Sequence, residues 1–171
     1  MQTLYDRVLQ MKRRQMAQQF STISPDLLAA GTPTDSAPFI LRSASPFSAY
    51  PAPNAAATVI LQITPSAAML MVIQKLAIVH IGGGFVDGSG NVIWRVLQNG
   101  APVKGLGNLQ AQVGTLAQPN DLILLAMPFD IIQVTVEVPN GQPAMPAGTT
   151  TAAAMHGFQY PAQRVSRRYA G

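Results

Sequence analysis

The chain has 171 residues, 48% of them hydrophobic and only 11% charged, whereas an ordinary soluble domain carries about 25% charged residues. That length suits one cored domain plus an appendage, and the shortage of charge suggests that much of the surface does not face water, for which burial in an assembly such as a trimer or a ring is one explanation. The chain has no cysteine, which excludes disulfides, thiolate catalysis and thiolate-bound metals.

Charge is concentrated at the ends. Residues 1–20 hold four basic groups and one acid, residues 161–171 hold Arg164, Arg167 and Arg168, and the stretch between is mildly acidic, giving +4 in all. The N-terminal stretch has no apolar core of the signal-peptide kind. The longest uncharged apolar run, residues 67–73, is far too short to cross a bilayer.

In chain order, residues 3–20 read as an amphipathic helix. Thr3 stands at the cap position with Asp6 three residues on. Tyr5, Leu9, Lys12, Met16 and Phe20 follow helical spacing, and Leu4, Val8 and Met11 widen the apolar face. Arg13 and Arg14 lie on the other side. Such a helix can pack on its own domain, dock on a partner or lie on a membrane surface. The composition of residues 21–54 favours docking. They contain Pro25, Pro33, Pro38, Pro46, Pro51 and Pro53 among Ser, Thr and Ala, and so read as a stiff, extended arm that could carry the helix to a neighbour. Within the arm, Phe39, Ile40 and Leu41 could add an edge strand to this chain's sheet or to a neighbour's.

A β-domain is expected over residues 55–161, followed by a basic tail at 162–171. The run TVILQIT at 58–64 puts Val59, Leu61 and Ile63 on one face. Residues 69–81 are apolar on both faces apart from Gln74, Lys75 and His80. They fit one bent strand or two, with a helix over 66–75 as the alternative. In 92–98, Val92, Trp94 and Val96 share a face opposite Arg95. Asn99-Gly100 is a hairpin turn, since both residues accept positive φ. Further strands are expected at 101–103, 109–113, 122–127, 131–138 and 149–160. In the 131–138 strand, Ile132, Val134, Val136 and Val138 point inward, with Gln133, Thr135 and Glu137 outward. About eight strands at this spacing predict an all-β, antiparallel β-sandwich of jelly-roll type, with the N-terminal helix and Pro-rich arm attached.

No catalytic motif is present. His80 and His156 have no second ligand at metal spacing. Asp87, Ser89 and Asn91 alternate with glycines as at the start of a calcium loop, but Gln98 stands where the bidentate Glu belongs. Gly82-Gly83-Gly84 lacks the Lys-Ser/Thr of a phosphate loop. Asp87, Asp121 and Asp130 fall at turns, the usual place for Asp. Trp94, Tyr50, Phe158 and Tyr160 could form a sugar-stacking platform, although the apolar face of its strand makes Trp94 a core or interface anchor. The basic ends lack the interleaved aromatics of a nucleic-acid groove.

Three stretches, WRVLQNG at 94–100, QVGTL at 112–116 with Pro119, and GFQYP at 157–161, give residues 55–161 a pattern that resembles virion structural proteins of tailed bacteriophages: small β-sandwich modules of head-decoration, collar, head–tail junction or fibre-anchoring type. The resemblance implies a virion protein that self-associates and binds other virion proteins through its arm, with no cofactor and no catalytic residue. The expected partner-binding residues are Tyr5, Leu9, Arg13, Arg14, Met16, Phe20, Arg164, Arg167 and Arg168. A carbohydrate- or receptor-binding module at a fibre base is the alternative.

Overall fold

The computed structural model describes residues 37–161. The predicted helix at 3–20, the arm as far as residue 36 and the tail at 162–171 lie outside the described residues. The described residues form nine strands and no helix. They are β1 (Ala37–Arg42), β2 (Ser48–Ala49), β3 (Thr58–Ile63), β4 (Met69–Ile81), β5 (Ile93–Gln98), β6 (Ala101–Pro102), β7 (Asn120–Ala126), β8 (Ile132–Glu137) and β9 (Thr150–Pro161). All pairings are antiparallel. The first sheet runs β1-β9-β4-β7, with β2 also on β9, and the second runs β3-β8-β5-β6.

Strict alternation builds the second sheet. Ile132, Val134 and Val136 are fully buried in β8, and Val92, Trp94 and Val96 are fully buried in and just before β5. The intervening residues face outward, as period-two patterning requires. Asn99 and Gly100 both have positive φ, 54° and 78°, which turns β5 tightly into β6. The Asn99 side chain holds the turn to the next crossing: its Oδ1 accepts from Ile131 N at 2.8 Å, and its Nδ2 donates to Asp130 Oδ1 at 2.7 Å.

The first sheet is built on β4 and β9, which pair along almost their whole length. Residues 69–81 form one strand of 13 residues, not a helix. Its register shifts between Ile73 and Lys75 against both neighbours, so Gln74 is the extra residue of a bulge, and this is the bend that the sequence left open. Gly157 faces this region, and a Cβ there would lie 2.0 Å from the Val72 carbonyl oxygen. Only glycine lets the two strands come this close.

Two expectations change. In β3 the register shifts between Val59 and Leu61. The bulge turns Val59 outward, 44% exposed, while Ile60 and Leu61 are both buried. Val59, Leu61 and Ile63 therefore do not share one face. The other change concerns the stretch read as an arm. Residues 37–42 and 48–49 ladder onto β9, so the compact unit begins at Ala37 instead of residue 55. Ser43 fixes this junction. Its buried hydroxyl accepts from Ala153 N at 2.8 Å and donates to the Ile60 carbonyl at 2.9 Å, tying the first sheet to the β3 bulge of the second.

Both sheets contribute to one apolar cluster, with Ile73, Ile78 and Met155 from the first meeting Trp94, Val96 and Val134 from the second. The expected strand at 109–113 appears as two single bridges, Trp94 with Leu109 and Ile78 with Val113. This segment joins an edge of each sheet and closes one side of the cluster.

Candidate functional site

The polar chemistry near the core is gathered at one end, where β4, β5 and β9 leave the apolar cluster. Trp94 is fully buried, stacks edge-on against Phe85 at 5.0 Å between centroids, and donates from Nε1 to Thr151 Oγ1 at 3.0 Å. Thr151 donates in turn to the Val79 carbonyl at 2.9 Å. Beside it, His80 Nδ1 lies 2.8 Å from the Tyr50 hydroxyl, and His80 Nε2 lies 3.0 Å from the Gly82 carbonyl. A carbonyl can only accept, so Nε2 carries the proton and Nδ1 accepts from Tyr50. Burial pushes the Tyr50 hydroxyl up to about 12, against a smaller lowering by Thr151, and so it remains a donor. Each of these polar atoms meets a partner inside the chain. The group has the character of a closed structural network, and it fixes Trp94 as a core anchor.

The turn at 87–91 is likewise occupied by its own bonds. Asp87 Oδ1 accepts from Gln112 N, Ser89 Oγ donates to the Val86 carbonyl, and Asn91 Nδ2 donates to the Gly84 carbonyl. Among the described residues no three His, Cys, Asp or Glu side chains converge as a metal group would require. The remaining carboxylates have local partners. Asp121 pairs with Lys75 at 3.1 Å on the surface. Asp130 accepts from Gln98, Asn99 and the Met127 backbone. Glu137 meets Arg95 in a two-pronged pair, Nη2 to Oε1 at 2.6 Å and Nη1 to Oε2. That bond holds Glu137 below the usual carboxylate range and raises Arg95 further. Three aromatics of the imagined sugar platform, Trp94, Tyr50 and Phe158, are not brought together. Trp94 and Tyr50 belong to the core end, while Phe158 pairs with Val72 on the other face of β9, opposite the Ala153 and Met155 side chains.

The outward faces of the two sheets are chemically unlike. On the second sheet, Arg95, Glu137, Gln133 and Gln62 form a polar lattice, including a Gln133–Gln62 bond of 2.8 Å. On the first, the side chains pointing away from the core cluster are almost all apolar. Along β4 they are Leu70, Val72, Ala77 and Val79, and along β9 they include Ala152 and Ala154. All six are buried. On the flanking strands, Ile40 of β1 and Ile123 of β7 stand 63% and 67% exposed. One basic row crosses this face, with Ile40, His156 and Lys75 side by side in register and Arg42 one step along. Desolvation, and then the charges of Arg42 and Lys75, push the His156 imidazole below its usual value. Its Nε2 is buried and has no hydrogen-bond partner among the described residues. Periodicity alone missed this surface, because an apolar-on-both-faces strand reads as a central core strand.

Of the expected partner-binding residues, Tyr5, Leu9, Arg13, Arg14, Met16, Phe20, Arg164, Arg167 and Arg168 lie outside the described residues. No protein-family model matches the chain, and no curated protein matches it.

Proposed function

We propose that this protein is a non-enzymatic structural component of a bacteriophage virion, a jelly-roll-like β-sandwich that self-associates and is anchored to neighbouring capsid, neck or tail subunits by its N-terminal helix and arm. The observation that carries the reading is the exposure of Ile40 and Ile123 on the two flanking strands of a first sheet whose apolar outward floor is itself buried within the chain. Low overall charge and the phage-like pattern of 94–100, 112–116 and 157–161 support it further.

The test is particle incorporation. A chain lacking residues 1–36 keeps β1 and every described strand, and it is expected to fold but to stay out of assembled particles. Incorporation at the full-length level would overturn the anchoring role. Turnover of a cell-wall or capsule polysaccharide by the purified protein would overturn the non-enzymatic one.

A further inference from the structure

The free edges of the two sheets are built differently. An edge strand offers unpaired backbone groups to other chains, and proteins guard such edges with short strands, bulges, prolines or lysines. The second sheet is guarded at both ends: β3 carries the bulge between Val59 and Leu61, and β6 has two residues, one of them Pro102. The first sheet ends on β1 and β7, and among the described residues no strand lies beyond either. β7 is seven residues long and runs NDLILLA, with neither lysine nor proline and with Ile123 exposed. β1 has six residues, with Ile40 exposed and its one proline, Pro38, near an end.

Backbone direction decides what these edges offer. Along an antiparallel ladder, residues alternately bond to one neighbour and face away from it. Ser43 N donates to the Ala153 carbonyl at 2.9 Å, so Leu41 and Phe39 turn to β9, while Arg42 and Ile40 turn their N–H and C=O to the free side. Ile78 exchanges both backbone bonds with Val113, so Leu76, two residues back, bonds toward its partner Asn120. Asp121, Ile123 and Leu125 therefore face away from β4, and the Leu125 carbonyl accepts instead from Gln98 Nε2 at 3.1 Å.

We propose that β7 of one copy adds, antiparallel, to β1 of a second copy, so that the first sheet runs on from copy to copy and closes into a ring. The addition rests on the self-association proposed above and gives its surface. Ile40 opposite Ile123 sets the register, and three further matches follow. Arg42 falls opposite Asp121 on the outward face, where Asp121 has Lys75 as its partner within the chain. Leu41 and Phe39 fall opposite Leu122 and Leu124 on the inward face, which joins the two apolar clusters. Pro38, which has no N–H to donate, falls opposite Leu125, whose carbonyl already has a donor. Strand direction agrees as well. β1, β9, β4 and β7 alternate, so the β1 that follows β7 points the same way as the first. The contact is head-to-tail, the kind that forms a ring when its rotation closes.

The cysteine-free chain allows a trap for the register. Ile40→Cys and Ile123→Cys are made in separate full-length chains and mixed. Both positions are exposed, so neither change disturbs the core. Directly opposed residues of such a pair lie about 5.5 Å apart at Cα, within disulfide reach. Mild oxidation of the mixture is expected to give a covalent dimer in several-fold excess over either variant alone. Ile40→Cys mixed with Asp121→Cys, two residues out of register, should link several-fold less. No dimer from the first mixture, or equal yields from the two mixtures, would overturn the proposal.

Charge reversal gives an independent reading. Arg42→Glu and Asp121→Arg should each raise several-fold the concentration at which light scattering detects oligomer, and the two combined in one chain should restore it. A combined variant no better than the single ones overturns the pairing. If wild-type oligomers form while neither test responds, the edge addition is wrong and self-association stands. If no oligomer forms, both fail.

Discussion

The two sheets bury the same kind of inward face and present opposite outward ones. β8 alternates strictly, with Ile132, Val134 and Val136 inside and Gln133 and Glu137 outside. β4 does not alternate in polarity, because Ile73, Leu76 and Ile78 enter the core cluster while Val72, Ala77 and Val79 point away from it and are buried as well. One sheet thus carries a polar outward face and the other an apolar one that is buried within the chain.

This contrast predicts where substitutions are felt. The largest effect is expected where the two central strands of the first sheet meet most closely. Gly157→Ala forces a Cβ to within 2.0 Å of the Val72 oxygen, so either β9 shifts or the chain fails to fold, with a loss of more than about 4 kcal/mol expected in urea unfolding. Trp94→Ala, which empties the shared core and leaves Thr151 Oγ1 without its donor, should cost about 3–5 kcal/mol. Ala154→Asp places a charge on the outward face of the first sheet and should cost about 3 kcal/mol, whereas Gln133→Asp on the outward face of the second should stay within about 0.5 kcal/mol. Equal effects of the last two would erase the distinction between the faces.

Acid provides a finer probe. The folded-state pKa of His156 lies below its ordinary 6.5, so the unfolded chain binds the proton first. Stability is then complete above about pH 6.5 and falls as pH drops below it. His156→Gln should flatten that part of the melting-temperature profile. A profile unchanged by the substitution would remove His156 from the account. Glu137 works in the same direction further down, its contribution present above about 4.5 and lost below. The smallest effect belongs to its pair with Arg95. In a double-mutant cycle the coupling should be about 0.5–1 kcal/mol, because both side chains keep a quarter or more of their surface in water.

The part of the fold set by short-range patterning was legible in the sequence. The alternation of 131–138, the burial of Trp94 opposite Arg95 and the Asn99-Gly100 turn all arise from adjacent residues. What escaped depends on distant partners. Ile40 pairs with His156, over a hundred residues away, so although the Phe39-Ile40-Leu41 run announced an edge strand, nothing local said that this chain's own β9 would receive it. The bulge at Ile60 reverses Val59 without any glycine or proline to mark it. Only over 66–75 could the strand not be told from a helix by composition, since Met, Leu and Ala serve both and the alternation that would decide is absent when both faces are buried. The same doubling hid the outward face of the first sheet. An apolar outward face became visible only once the core cluster had claimed the other side.

The central proposal is that copies associate through the exposed edges of the first sheet at Ile40 and Ile123, and mass measurement tests it most directly. Multi-angle light scattering on the full-length chain should return a discrete multiple of 18.1 kDa. The Ile40→Asp, Ile123→Asp double variant, changed only at exposed positions, should fall to a single chain while keeping its β-sheet circular dichroism. A wild-type protein that stays at 18.1 kDa at every concentration, or a double variant that keeps the wild-type mass, would contradict the account.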